Sequence, residues 1–198
     1  MDKINCSFLG WAEIEGLVDK VVGKIRSSGF RPDTIIAVAR GGIVPARLIA
    51  DRLIVKDFLS IKVDHWGITA TKDGQAKLVY GIQGDLSGKR VLLVDDITDT
   101  GASLEMAKAH VMQKGVGELM TATLVHLDNS KYTPDFFGVE RGWAWTIWPW
   151  NRHEDVVNLL KKIRSEGIPS DRCVSSFSEY FGLAVSKEEV EAAEREIS

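Results

Sequence analysis

Hydrophobic residues follow two alternating spacings along this chain, one typical of amphipathic helices and one typical of buried strands. Residues 34–39 form a short, β-branched apolar run, which predicts a buried strand. Residues 43–53 repeat apolar side chains at helical intervals and carry Pro45 in the first turn, where proline is favoured. An earlier helical stripe is formed by Ile14, Leu17, Val18, Val21 and Ile25. The first 53 residues therefore predict the order helix, strand, helix.

The same alternation continues toward the C-terminus. Helices are predicted over residues 102–114, after Asn151 and after Ser186, and the last two carry the capping-box spacing of a polar residue followed three positions later by glutamate. Further strands are predicted at residues 59–66, 78–82, 90–95 and 119–127. Strands that alternate with helices predict an α/β fold, in which a mostly parallel sheet is flanked by helices on both faces.

Composition adds little to this picture but excludes several classes of protein. The chain has 198 residues, of which 44% are hydrophobic and 27% are charged, as in an ordinary globular protein. A net charge of −3 argues against broad nucleic-acid binding, and no apolar run approaches the length of a membrane span. The two cysteines, Cys6 and Cys173, match no metal or disulfide spacing, so we expect a cytoplasmic protein.

Charge is distributed unevenly between the body of the chain and its C-terminal part. Residues 165–198 hold three basic and eight acidic residues, whereas the rest of the chain holds 22 basic and 20 acidic residues. The polar start and helical spacing near Ser186 predict that this acidic segment is helical. We therefore expect a main domain over residues 1–164 and an acidic C-terminal extension over residues 165–198.

Two predicted strands end in residues that suit phosphate chemistry. The strand at residues 90–95 runs into a loop, residues 95–103, that opens a helix and combines a glycine, three hydroxyls and three carboxylates. Glycine, hydroxyls and helix N-terminal amides make a cradle for an anion. The carboxylates would repel a bare phosphate, but they suit a ligand that also offers hydroxyls or a divalent cation. A ribose phosphate with Mg²⁺ has all of these features.

The second such strand, residues 34–39, ends in Arg40, Gly41 and Gly42. A cation followed by two glycines lets backbone amides approach an anionic group closely. Ligands of parallel sheets bind outside the carboxyl ends of the strands, so we expect both loops to serve one site. A pyrophosphorylated sugar phosphate suits this pair of loops better than a nucleoside triphosphate. The spacings of a dinucleotide-binding loop and of a nucleotide P-loop are both absent from the sequence.

Residues 91–104, Val-Leu-Leu-Val-Asp-Asp-Ile-Thr-Asp-Thr-Gly-Ala-Ser-Leu, resemble the signature of the type I phosphoribosyltransferases. Residues 39–42, Ala-Arg-Gly-Gly, resemble the pyrophosphate loop of that family. Residues 145–150, Trp-Thr-Ile-Trp-Pro-Trp, resemble the base-binding segment of xanthine-guanine and archaeal purine phosphoribosyltransferases. The resemblance covers roughly residues 9–160. It implies the type I phosphoribosyltransferase fold, with a small base-binding hood inside the domain of residues 1–164.

The resemblance also implies roles for the polar residues at the strand ends. Asp95 and Asp96 would hold the ribose hydroxyls and Mg²⁺, and Arg40 and Gly41 would hold the pyrophosphate. Asp99 would act near the purine N7, where it can manage a proton. The residues themselves leave a second interpretation open for Asp99, because a carboxylate in this place could cap the next helix. In the family the peptide bond before the arginine is often cis, which implies a cis bond between residues 39 and 40.

Further implied contacts concern the phosphate and the base. Trp145 and Thr146 would bind the base, with Trp150 in support, although a tryptophan-rich strand that serves only the core is the alternative. Residues 67–77 occupy the place of the family's mobile lid. The 5-phosphate would be held by Thr98, Thr100, Gly101, Ala102 and Ser103, whose hydroxyls could instead serve as helix caps.

The implied activity is Mg²⁺-dependent transfer of the 5-phosphoribosyl group from 5-phosphoribosyl 1-pyrophosphate to a heteroaromatic base of the purine type, by a homodimer. The rival interpretation is a sensor that binds the donor or a nucleotide without catalysis and regulates a partner. One position departs from the purine members. Leu127 stands where they have a lysine that donates to the 6-oxo group of the base, and Lys131 is the nearest later lysine that could replace it.

Overall fold

The computed structural model describes residues 3–65 and 76–197. The strands are β1 (Cys6–Phe8), β2 (Thr34–Ala39), β3 (Asp57–His65), β4 (Ala76–Tyr80), β5 (Arg90–Thr98), β6 (Glu118–Leu127), β7 (Phe136–Arg141) and β8 (Trp145–Ile147). The helices are α1 (Trp11–Ser28), α2 (Ile43–Leu53), α3 (Ala102–Met112), α4 (Arg152–Ser165), α5 (Cys173–Phe181) and α6 (Lys187–Glu194), and a 3-10 turn spans Ser170–Arg172.

Six strands form the main sheet, in the order β4, β3, β2, β5, β6, β7. Neighbouring strands are parallel except β3 and β4, which are antiparallel. Residues 34–38 of β2 and 91–96 of β5 are buried, as strands covered on both faces require. Residues 34–37 of β2 pair with residues 91–94 of β5, so the carboxyl ends of these two strands lie side by side. The predicted mostly parallel α/β fold is confirmed.

The chain divides into two compact units. Ile14–Trp143 contains the six-stranded sheet, whereas Met1–Glu13 and Ala144–Ser198 together form the other unit. In the second unit β1 and β8 pair in parallel, and α4, α5 and α6 share a core. Ion pairs from Arg152 to Glu189 and from Arg164 to Glu194 link α4 to the acidic segment. That segment is helical as expected, and the proposed boundary between residues 164 and 165 stays a prediction.

Several local features differ from the sequence-based expectations. The capping box of Ser186 and Glu189 is formed, whereas Asn151 precedes α4 without a side-chain cap. β5 continues three residues past Asp95, because β6 runs beside it and pairs with it up to residue 98. His110, expected at the surface, accepts a hydrogen bond from the Ile82 amide at 3.1 Å.

One further expectation can be compared with the structure only in part. The proposed lid at residues 67–77 falls almost wholly outside the described residues, since only residues 76 and 77 of it are described. Within the described ranges, none of the helices has the length and apolar character needed to cross a membrane.

Candidate active site

The two adjacent acids lie at the carboxyl end of β5. Asp95 and Asp96 are each only 8% exposed, and the Asp96 amide donates to Asp95 Oδ1 at 2.9 Å. Burial raises the pKa of the Asp95 carboxyl well above its usual range, and the neighbouring charge of Asp96 raises it further. Two carboxylates this close inside the protein repel each other, so the pair favours a ligand that brings positive charge or hydrogen-bond donors.

Magnesium suits this pair of acids. Mg²⁺ is usually held by one or two carboxylates, with waters and substrate phosphates completing its octahedral shell. Among residues 3–65 and 76–197 there is no cluster of three or more side chains that could hold a metal alone. Asp95 and Asp96 therefore fit a cation that is shared with a phosphorylated ligand, rather than a site made only of protein.

The loop after β2 lies directly against these acids. The peptide bond between Ala39 and Arg40 is cis, as the resemblance implied. A Cβ atom added to Gly41 would overlap the Asp96 carboxylate, lying 2.6 Å from its Cγ. A Cβ atom at Gly42 would lie 2.5 Å from the Val94 carbonyl oxygen. Side chains are excluded at both glycines, so the structure brings the predicted pyrophosphate loop and the predicted ribose-binding acids into contact.

Substituting alanine for Gly41 is expected to displace the Asp96 carboxylate and to weaken binding of the sugar donor. A displacement of about 1 Å costs roughly ten- to a hundredfold in a positioned site. Calorimetric titration of the donor with Mg²⁺ measures this loss. Gly23→Ala is the matched control, because no atom lies within 4 Å of its added Cβ and it sits inside α1. Equal donor affinity in both variants would contradict the assignment of Gly41.

The turn between β5 and α3 is formed around Gly101. Gly101 has φ of 88° and is the N-cap of α3, with no side-chain cap. Asp99 is therefore not the N-cap residue of α3. The Thr100 hydroxyl accepts a hydrogen bond from the Ala102 amide at 3.4 Å, which is a local capping contact. Ala102 and Ser103 lie in the first turn of α3, where the helix dipole favours an anion.

Thr98 differs from the other hydroxyl residues of this loop because it belongs to the sheet. Its side chain is buried, and its hydroxyl donates to the Thr123 hydroxyl of β6 at 3.1 Å. His126 of β6 pairs with Thr98 in register and is also buried. Its Nδ1 is buried and has no hydrogen-bond partner among the described residues. A hydrogen bond between two side chains thus joins the carboxyl end of β5, at Thr98, to β6.

Trp145 and Thr146 belong to β8, in the other compact unit. The Trp145 indole nitrogen donates to Asp155 Oδ1 at 3.0 Å, and Asp155 is buried in the first turn of α4. This bond fixes the orientation of the Trp145 ring. Asp155 received no role from the sequence. Two buried residues of α4 lie four and eight positions after it, so helical spacing would have placed this acid on the buried face of the helix.

The remaining tryptophans of this segment have different environments. Trp148 is buried and stacks on Trp150 at 5.0 Å with an interplanar angle of 10°. Trp150 also contacts Trp11, with ring centroids 6.0 Å apart. Trp143 is exposed. A packing role therefore holds for Trp148, whereas Trp145 and Trp150 are only partly buried.

Leu127 is the last residue of β6 and is 2% exposed. It pairs in register with Arg141 of β7. Lys131 is exposed in the connection between β6 and β7. The position that departs from the purine members is thus occupied by a buried apolar side chain.

Residues 8–155 match the model of the phosphoribosyl transferase domain. A xanthine-guanine phosphoribosyltransferase from Desulfotalea psychrophila is 32% identical over 120 residues, which cover 59% of this chain and 69% of that protein. An orotate phosphoribosyltransferase from Sulfurisphaera tokodaii is 34% identical over 114 residues, which cover 58% of this chain and 52% of that protein.

A solved structure extends the comparison. The crystal structure of a purine phosphoribosyltransferase from Pyrococcus horikoshii superposes with a TM-score of 0.64 at 30% identity, and the match covers 74% of this chain and 94% of that one. Residues 8–155, which match the family model, contain both loops described above. The chain therefore belongs to the family of the phosphoribosyl transferase domain, and it is a phosphoribosyltransferase, an enzyme whose substrates are 5-phosphoribosyl 1-pyrophosphate and a base.

Proposed function

We propose that this enzyme transfers the 5-phosphoribosyl group to a purine-type base in nucleotide salvage, with Mg²⁺ as cofactor. The products are a nucleoside monophosphate and pyrophosphate. The observation that carries the proposal is the contact between Gly41 and Asp96, which joins a loop suited to pyrophosphate to acids suited to a sugar and a cation. The purine assignment is supported by the names of two relatives, the xanthine-guanine enzyme and the archaeal purine enzyme.

In the proposed reaction the bond from the anomeric carbon to the pyrophosphate oxygen breaks, and a bond from that carbon to a base nitrogen forms. Asp95 and Asp96 hold the ribose hydroxyls and Mg²⁺. Because both carboxylates are buried, their positions are restricted, and the sugar that they bind is held in one place. When bound, Mg²⁺ neutralises charge that develops on the leaving pyrophosphate. Arg40 contributes a permanent positive charge that stabilises the leaving pyrophosphate, and the backbone amide of the next residue, Gly41, can donate to the same group.

The other end of the donor is assigned to the loop and the first turn of α3. The 5-phosphate carries negative charge, which the amides at the helix N-terminus stabilise. Asp99 is exposed at the sheet edge and receives the proton from the base nitrogen. The proposed 5-phosphate residues are Thr98, Thr100, Gly101, Ala102 and Ser103.

The base is assigned to Trp145 and Thr146. An indole that is held by Asp155 offers a fixed flat surface, and flat heteroaromatic rings stack on such a surface. Leu127 gives no hydrogen bond to a 6-oxo group. We therefore propose an acceptor of the purine type that lacks this oxygen, or one whose oxygen is served by Lys131.

A single-turnover assay of pyrophosphate release tests this proposal. We expect release with Mg²⁺ and a purine, and slower release with hypoxanthine and guanine than with a purine that lacks the 6-oxo group. Orotate is the contrasting acceptor, because one of the relatives is an orotate phosphoribosyltransferase. Faster release with orotate than with every purine would contradict the purine assignment. Donor binding without release for any base would support the sensor interpretation instead. The homodimer stays a prediction, which light scattering can check.

A further inference from the structure

The connection between β6 and β7 lies against the turn that precedes α3. A Cβ atom added to Gly101 would overlap the Tyr132 Cβ, and it would lie 3.1 Å from the Tyr132 amide nitrogen and 3.2 Å from its Cα. The main chain at Tyr132 therefore forms a wall beside Gly101. This wall bounds one side of the turn, in which Gly101 has a φ of 88° that favours glycine.

The Tyr132 side chain links that wall to one helix and to one strand of the sheet. Its hydroxyl lies 3.3 Å from Lys108 Nζ of α3 and 3.2 Å from Thr121 Oγ1 of β6. Its ring packs on the core that contains Leu104 and Ala107. One side chain thus joins the helix that Gly101 opens to the neighbouring strand.

The hydrogen bonds of this anchor can be assigned a direction. Lysine can only donate, so the Tyr132 hydroxyl accepts from Lys108. The Thr121 hydroxyl donates to Asp135 Oδ2 at 2.8 Å and accepts from the Asp135 amide at 3.0 Å. The proton of Thr121 is therefore used, and the Tyr132 hydroxyl must donate to Thr121 Oγ1. The chain of donors runs from Lys108 through Tyr132 and Thr121 to a carboxylate, and every member is satisfied.

The connection is also braced at its own ends. Ser130 Oγ donates to the Tyr132 carbonyl at 3.0 Å and accepts from the Tyr132 amide at 3.3 Å. The Thr121 amide donates to Asp135 Oδ2 at 2.7 Å. Ser130 therefore holds the Tyr132 main chain from within the connection, and the tyrosine side chain adds the links to α3 and β6.

We propose that Tyr132 is a positioning residue, which holds the loop of residues 99–103 in the conformation that binds the 5-phosphate of the donor. This inference rests on the proposed assignment of that loop. Tyr132 touches the loop and not the reacting atoms, so its effect falls on binding of the donor rather than on the base or the chemical step. If the loop is loosened, donor binding must order it again, and the free-energy cost of that ordering weakens the affinity for the donor.

The test compares Tyr132→Phe and Tyr132→Ala with Val111→Ala. Val111 lies on the same helix and in the same core cluster, at the far end from Gly101, so its truncation lowers stability without touching the wall. We expect the KM for 5-phosphoribosyl 1-pyrophosphate to rise roughly threefold in Tyr132→Phe and roughly tenfold in Tyr132→Ala, since one or several contacts are lost. The KM for the base should stay unchanged in all three variants.

Hydrogen exchange of ligand-free protein supplies a readout that needs no activity. Amides of residues 99–103 should exchange faster in Tyr132→Phe than in the wild type, and Val111→Ala should leave them unchanged. Equal exchange in Tyr132→Phe and the wild type, or an equal rise in donor KM in Val111→Ala, would overturn the inference. A wild-type protein that binds no donor would contradict the proposed function, whereas the exchange comparison would still decide the role of Tyr132.

Discussion

Replacing both Asp95 and Asp96 with asparagine is expected to abolish Mg²⁺-dependent binding of 5-phosphoribosyl 1-pyrophosphate and to leave the fold intact. Asparagine keeps the shape of each side chain but removes the charge that a divalent cation requires. The donor carries several negative charges, and without the shared cation the positive charge assigned to them is that of Arg40. Affinity should fall by at least roughly a hundredfold, as expected when a buried charged contact is removed.

Stability should not fall with this change. The pKa of Asp95 is raised in the folded protein, so its ionised form opposes folding at pH above the usual pKa of an aspartate. Removing that carboxylate therefore favours the folded state at neutral pH, and this gain should disappear as the pH falls below that pKa, because the wild-type carboxyl is then protonated in both states. Thermal unfolding at neutral and at acidic pH measures both parts of the expectation.

Calorimetric titration of the donor, with and without Mg²⁺, measures the binding part. The control is Asp171→Asn with Glu179→Gln, which also removes two negative charges, but from exposed positions of the acidic segment. Unchanged donor affinity in the double asparagine variant would contradict the assignment of these acids to the ribose and Mg²⁺. An equal loss in the control would assign the effect to net charge instead.

Much of this site could be predicted from the sequence because its residues are close together along the chain. The loop at residues 95–103 and the glycines after β2 follow from short motifs, and the cis bond between Ala39 and Arg40 was implied by the family resemblance. The extent of β5 could not be predicted, because strand pairing beyond Asp95 depends on β6, which is far along the chain. For the same reason the predicted strand stopped at Asp95, whereas β5 continues through Asp96 to Thr98.

The residues that were missed share one physical property, which is dependence on distant partners. Asp155 received no role from the sequence, and its hydrogen bond to Trp145 forms only when β8 and α4 pack together. Tyr132 lies in a connection without regular structure, and its partners Lys108 and Thr121 are on two other elements. Asp99 suited a helix cap by spacing, but the positive φ of Gly101 moved the helix start beyond it.

The second large effect is expected at Leu127, where lysine should increase activity on 6-oxopurines. Leucine cannot donate a hydrogen bond, and a buried 6-oxo group without a partner costs about 1–3 kcal/mol, or roughly ten- to a hundredfold. Leu127→Lys would return a donor to the end of β6, at the position where purine members of the family carry one. We therefore expect kcat/KM for hypoxanthine and guanine to rise by roughly ten- to a hundredfold.

The design of this experiment must separate the new hydrogen bond from the change in packing. Leu127 is 2% exposed, so an ammonium group there loses hydration in the ligand-free protein and lowers stability. Leu127→Met keeps the volume and adds no donor, so it should leave the preference among bases unchanged. Lys131→Ala tests the other source of a donor, because Lys131 lies in the connection that follows β6. If the wild type already converts hypoxanthine or guanine efficiently and Lys131→Ala keeps that rate, then Leu127 does not limit the choice of base.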